Sequence, residues 1–394
     1  MAQAGTAAEL ARTAPPAPAG LWVRRLMLTA FRNYGAAELE LDERPVVLLG
    51  PNGAGKTNLL EALSLLTPGR GLRGARLEDL TPRGPRNDTA PWAVAAEVAT
   101  AQGARSLGTG LDPKQPEAQR RVARLDGEAA SSLAALGEVL AAVWLTPQMD
   151  RLFQEGASGR RRFLDRLVFG FDAAHAGRIA GYEHAMRERS RLLKQGSRDA
   201  AWLAALEESM AERSVAIAAA RRQAVTRLSA AVAEGVGPFP RARLGLLGDA
   251  EAWLEEFPAV EVEGRIAEGL AASRESDSEG GAARGAHRAD LAVADLASGM
   301  PAEQCSTGEQ KALLICVVLA HARLLAKQRG APPLLLLDEV AAHLDGRRRE
   351  ALYAELLALG AQAWMSGTED SFFAPLGGAA QRFAIAGGAL RQTT

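Results

Sequence analysis

Residues 50–57 read GPNGAGKT, fit the pattern G-x-x-x-x-G-K-[ST] and follow the apolar run PVVLL. Gly50, Gly53 and Gly55, with Pro51, Asn52 and Ala54 between them, let backbone N–H groups converge on phosphate oxygens without side-chain clash. Lys56 is expected to reach the β- and γ-phosphates of ATP and the Thr57 hydroxyl to ligate Mg2+. Asn58 continues into a helix whose positive end faces the anion. A second constellation is LLLLDE, ending at Glu339. Four consecutive leucines suit a strand buried on both faces, and its two acids fall at the C-terminal edge, where ligands of open α/β sheets sit. Asp338 is expected to hold Mg2+; Glu339 is expected to orient the attacking water or take its proton. A strand end followed by an acidic helix cap would use the same two residues. A third is CSTGEQKALLICVVLA, residues 305–320, a polar turn opening a long helix. Ser306, Gly308 and Glu309 offer a second anion site, which makes sense if it caps a γ-phosphate held by another subunit. An ordinary helix cap, with Glu309 closing a capping box, would read the same way.

The elements that must position these groups alternate. LWVRRLMLTAFRNY, AAELELD and PVVLLG read as strands, TNLLEALSLL as a helix, and APWAVAAEVAT, RRVARLDG and VLAAVWLTP as further strands. From Gly159 the chain changes to two long amphipathic helices with a break at QGSRD; a helical subdomain and a short coiled coil both fit. SRESDSEGGAARGAHR reads as a mobile loop, and LAVADLA, TGEQKALLICVVLAHARLLAKQ, LLLLDE, RRREALYAELLALG and AQAWMSG then alternate as in a parallel α/β sheet. The expected organisation is a tail over 1–20, a first part of a nucleotide-binding head over 21–157, an inserted helical lobe with connecting region over 158–285, and a second part of the head over 286–394.

Composition sets limits. The formal net charge of −1 supplies no overall field for nucleic acid, so any DNA contact must be a local patch. Only five of the 46 basic residues are lysines, so arginine-rich runs carry little weight by themselves. Cys305 and Cys316 have no metal-site spacing, which argues against zinc and fits a reducing cytoplasm. The first twenty residues lack the apolar core of a signal peptide, and no run reaches the length of a membrane span.

Together the motifs resemble the ATP-binding-cassette ATPases, and within them the SMC-like heads. The implied fold is α/β, an ABC/SMC-like P-loop ATPase head with an inserted helical lobe. The family's Ser-Gly-Gly turn is Ser306-Thr307-Gly308 here. EVAAHLD places Asp345 where the family crosses the dimer interface. WMSGTED stands where the family carries a switch histidine, so Ser366 or Thr368 would take its place. Gln148, in LTPQMD, matches a loop that senses Mg2+ elsewhere in the superfamily. LMLTAFRNYGAAELEL, GRRRFLDRLVF, GAHRADL and GEQKALL resemble the RecF family of bacterial recombination mediators in order, with Ala286 and Ala289 as departures. The compact helical insertion is too short for the arms of a complete SMC protein.

The RecF resemblance implies a weak DNA-dependent ATPase that dimerises with ATP on double-stranded DNA and at gap junctions. It also implies RecO and RecR as partners in loading the RecA recombinase, and a cytoplasmic protein. Arg24, Arg32, Arg73, Arg76, Arg160 and Arg161 are candidate phosphate contacts; a solvated face would account equally for each cluster.

Overall fold

A computed structural model of the chain describes residues 20–82, 91–115, 119–196, 199–282 and 284–393. The expected tail lies outside them, apart from Gly20. The chain divides into two compact units: Met1–Asp150, Gly235–Pro240 and Thr307–Thr394 form one, Arg151–Glu234 and Arg241–Ser306 the other.

The first unit holds two six-stranded sheets. One comprises β1 (Trp22–Phe31), β2 (Tyr34–Glu40), β4 (Ala93–Thr100), β5 (Gly103–Leu111), β6 (Arg121–Leu125) and β7 (Glu128–Ala129), antiparallel in the order β2-β1-β4-β5-β6-β7. A bulge between Val23 and Arg25 resets the alternation of β1, so Val23 and Leu26 both point inward. The backbone at the bulge is satisfied by a side chain: Gln362 accepts the Val23 N–H at 2.9 Å and donates to the Val23 carbonyl at 3.1 Å. The other sheet comprises β3 (Val46–Leu49), β8 (Ala142–Leu145), β11 (Leu334–Leu337), β12 (Ala363–Gly367), β13 (Gln381–Ala386) and β14 (Ala389–Thr393). Its order is β14-β13-β3-β12-β11-β8, parallel except for the β13–β14 hairpin. All four leucines of β11 have no exposed surface, as a strand covered on both faces requires. Helix α1 (Lys56–Leu65) touches β11 and β12 of this sheet and β4 of the other. That double contact explains why LLEALSL is apolar nearly all round. Among the described residues the unit also holds the α-helices α2 (Ala134–Val139), α9 (Thr307–Arg329) and α10 (Gly346–Leu359).

The second unit contains α3 (Ala157–Phe171), α4 (His175–Lys194), α5 (Ala200–Glu234), α6 (Asp249–Glu256), α7 (Ala259–Ala272), α8 (Arg274–Gly280) and a ribbon of β9 (Ala242–Leu247) with β10 (Asp290–Asp295). Helix α5 packs on α4, α7 and β9. It is therefore the spine of a helical subdomain and not half of a two-stranded coil.

Three expectations are corrected. The first long helix is two, because Asp172 ends α3 and accepts the Ala174 N–H at 3.0 Å. The stretch read as a mobile loop contains α8, held by Asp277, which is buried and meets the buried Arg189 at 2.9 Å. The units exchange at 150/151 and 306/307, with Gly235–Pro240 returning to the first unit between them, where boundaries at 157/158 and 285/286 were expected; LAVADLA pairs with β9 and lies in the helical unit. Among the described residues no helix is long and apolar enough to cross a membrane. Cys305 and Cys316 are buried and not disulfide-linked.

Candidate nucleotide-binding site

The loop 50–55 leaves β3 between its neighbours β12 and β13 and enters α1. Its glycines are sterically required. A Cβ on Gly50 would come within 2.3 Å of the Ile385 carbonyl oxygen, and Gly55, at φ +112°, would drive one to 2.5 Å from Asn33 Nδ2. Gly53 also has a left-handed backbone, at φ +80°. Pro51 and Asn52 are exposed at the tip; Ala54 is buried, and Asn58 begins the first turn by donating its N–H to the Gly55 carbonyl at 3.0 Å. Lys56 is only 4% exposed. Its ammonium lies in the curl of the loop, donating to the Gly50 and Pro51 carbonyls at 2.7 and 3.0 Å. Burial pushes its pKa down, against the attraction of Glu339 and Asp338. A cation desolvated this way gains on meeting phosphate.

The acids meet this loop directly. Thr57 Oγ1 donates to both oxygens of Asp338, at 2.9 and 3.0 Å. Hydroxyl plus carboxylate is a hard-oxygen pair that suits Mg2+, which completes its shell from phosphate oxygens and water. Among the described residues no cluster of three or more His, Cys, Asp or Glu could hold a metal alone. Glu339 follows with φ 52° and ψ 22°. A non-glycine residue held left-handed stores about 1–3 kcal/mol and marks functional sites. Ser366 lies behind both acids, donating to Asp338 Oδ1 at 2.6 Å and accepting the Glu339 N–H at 2.9 Å. Of the two stand-ins for the switch histidine, Ser366 is thus fully buried and Thr368 exposed.

The sequence reading missed the support of the loop. The turn between β1 and β2 is FRNY: Asn33 Nδ2 donates to the Ala54 carbonyl and Tyr34 OH to the Gly55 carbonyl, each at 3.1 Å. Asn58 Nδ2 donates to Asn33 Oδ1 at 2.6 Å. Arg32, left-handed at φ 55°, grips the buried Glu61 of α1 through Nε and Nη2, both at 2.8 Å. The available signal is the Asn33-Tyr34 pair at the tip of the hairpin.

Gln148 is exposed in a turn after β8, the strand paired with β11. That turn is tied to the first turn of α9 by Lys311, which meets Asp150 at 3.1 Å. Ser306 is exposed at the end of the second unit; Gly308 and Glu309 are exposed at the start of α9. Asp345 is exposed and caps α10, accepting the Arg348 N–H at 2.8 Å.

Four of the six candidate phosphate-binding arginines are committed internally. Arg32 and Arg73 both bind Glu61. Arg160 forms a two-pronged pair with Asp290 at 2.8 and 2.7 Å, and Arg161 donates to the Ala289 carbonyl at 2.7 Å. Their side chains help order the fold in the chain alone. Arg24 (over Trp22), Arg73 and Arg76 (beside Glu78) are exposed. His287 accepts from Tyr182 OH at Nδ1 (2.6 Å) and donates from Nε2 to the Ala282 carbonyl (2.8 Å), so the GAHRADL motif also serves the second unit's interior.

The RecF/RecN/SMC N terminal domain model matches residues 22–370. The DNA replication and repair protein RecF of Mesorhizobium japonicum is 48% identical over 95% of this chain and 99% of its own. That of Caulobacter vibrioides is 48% identical over 90% and 94%. Among solved structures, the recombination mediator RecF-ATPrS of the RecFOR pathway superposes with a TM-score of 0.81 at 22% identity, covering 96% of this chain and 100% of that one. An Smc head domain with an extended coiled coil from Pyrococcus furiosus reaches 0.52 at 16% identity, covering 95% and 96%. The structural likenesses establish an SMC-type ATPase head fold; with the phosphate loop, the paired acids and the near-full-length sequence match, the chain belongs to the RecF family.

Proposed function

We propose that this chain is an ATP-dependent DNA-binding protein of DNA replication and repair that closes as a dimer on double-stranded DNA and opens on slow ATP hydrolysis. The observation that carries the reading is the junction of Lys56, Thr57, Asp338 and Glu339 at one end of the central strands. Lys56 would exchange the Gly50 and Pro51 carbonyls for the β- and γ-phosphates. Mg2+ between Thr57 and Asp338 would neutralise charge on the phosphate oxygens. Glu339 would orient the attacking water, giving ADP and phosphate. Exposure of Ser306, Gly308 and Asp345 supports their meeting the nucleotide of a second subunit. The repair role, gap junctions, and RecO and RecR as partners in loading RecA rest on the RecF relatives and on a solved neighbour described within a RecFOR pathway.

Sedimentation of Glu339→Gln, with and without ATP and a short duplex, tests this. The expected result is a dimer only with ATP, bound to duplex in a salt-sensitive way. A monomer under every condition would refute the clamp. Ser306→Arg should keep ATP binding in the monomer and lose the dimer; loss of monomer binding would place the turn in its own subunit's site.

A further inference from the structure

Ser366 has no exposed surface. It sits in β12, opposite Leu48 of β3, while its neighbour Met365 pairs with Leu337 of β11. The central strands on both sides therefore fix its backbone. Its hydroxyl uses both of its capacities, giving its proton to Asp338 Oδ1 at 2.6 Å and receiving the Glu339 N–H at 2.9 Å. The Asp338 carboxylate has a second hydroxyl donor in Thr57. The two donors differ in kind. Thr57 is partly exposed on the loop side and is the group that a cation would draw away. Ser366 is enclosed and has nowhere else to turn. The amide it receives belongs to the residue whose backbone is strained at φ 52°.

We propose that Ser366 is the positioning residue of the hydrolytic site: one buried hydroxyl aims the Asp338 carboxylate at Mg2+ and pins the left-handed backbone that presents Glu339. This rests on the reading of the site as an ATPase. It departs from the role inherited from the switch histidine, because the Ser366 hydroxyl bonds to Asp338 and to the Glu339 N–H. Losing the partner that orients a metal-binding group weakens metal affinity by about 10- to 100-fold. The nucleotide's own hold, through the loop amides and Lys56, does not depend on that hydroxyl.

The test is a titration of Mg2+ against a fluorescent ATP analogue bound to the full-length wild type, Ser366→Ala and Ser366→Cys, with melting temperatures recorded in parallel and single-turnover hydrolysis measured afterwards. Ser366→Ala should bind the analogue without Mg2+ as the wild type does, need about 10- to 100-fold more Mg2+ for its full effect, and hydrolyse slowly. Ser366→Cys, isosteric with a weak donor, should fall between. A wild-type Mg2+ dependence in Ser366→Ala overturns the proposal. So does an equal loss of metal-free binding, which would mean that the strand itself has been disturbed. A wild type that binds no ATP analogue overturns the ATPase reading and this inference with it.

Discussion

Replacing Arg32 by alanine should damage the support of the nucleotide loop before it touches any DNA contact. Glu61 is 1% exposed and receives two hydrogen bonds from Arg32 at 2.8 Å and one from Arg73 at 2.9 Å. Alanine at position 32 keeps the left-handed backbone and deletes the fork on Glu61 together with the Nη1 hydrogen bond to the Asp79 carbonyl at 2.8 Å. Each charge-assisted bond is worth about 1.5–3 kcal/mol. Arg73 stays in place, and the Arg32 side chain is 19% exposed, so water recovers part of the loss. A net cost of about 2–4 kcal/mol follows, short of the ~3–5 kcal/mol for stripping a fully buried charge. For a folding unit of this size that lowers Tm by roughly 4–16 °C. Thermal melts, paired with duplex affinity measured against salt, give the readout. The comparison is Arg76→Ala, whose side chain is 79% exposed: its melt should not change, while the salt slope should drop by about one. If Arg32→Ala melts like the wild type and loses that unit of slope, Arg32 is a phosphate contact and the buttress reasoning is wrong.

Gly55→Ala should weaken ATP binding by at least about tenfold, because its Cβ would strike Asn33 and Tyr34 at a strained backbone position; equal affinity by isothermal titration would contradict this. Lys311→Met should leave Asp150 without its partner at 3.1 Å and slow hydrolysis more than it weakens ATP binding, with the charge-exchanged pair Lys311→Asp/Asp150→Lys recovering part of the rate. A rate unchanged in Lys311→Met would free the Gln148 turn from α9. His287 is held below its ordinary pKa, first by burial and then by Arg288 and Arg161, against a hydrogen bond to the Ala282 carbonyl. Its neutral ring fits the fold, so the unfolded chain binds more protons below about pH 6.5 and stability falls as pH drops from there toward the depressed folded value. Urea unfolding at pH 7.5 and 5.5 should show this loss, and His287→Gln should reduce it; an equal loss in both proteins would place the titration elsewhere.

The parts of the site that depend on local chemistry were legible. GPNGAGKT announces a phosphate loop by its own glycine spacing, and LLLLDE announces a covered strand with acids at its end. Partnership across distance was not. Glu61 reads as a polar position on a helix; it is buried only because Arg32 and Arg73 arrive from elsewhere. SRESDSEGG has the composition of a loop, and a tertiary ion pair between Asp277 and Arg189 makes part of it helical. β5 escaped notice because ARSLGTGL is rich in small residues that carry no alternation, and it is held by β4 and β6 on either side. Arg32 and Arg160 have carboxylate partners distant in the chain, which charge in the sequence does not announce.

β3, which carries the phosphate loop, has β12 on one side and β13 on the other, and the Ile385 carbonyl closes against Gly50. The loop is made early on the ribosome and its walls last. At about 5–20 residues per second, roughly 17–67 s separate the emergence of Leu49 from that of Ile385. Most of the second unit, by contrast, is contiguous between Arg151 and Ser306 and has its partners to hand sooner. A nascent or prematurely ended chain would therefore carry the whole GPNGAGKT sequence without a site to bind ATP. On the proposed function, ATP-dependent closure would wait for β13 to dock beside β3.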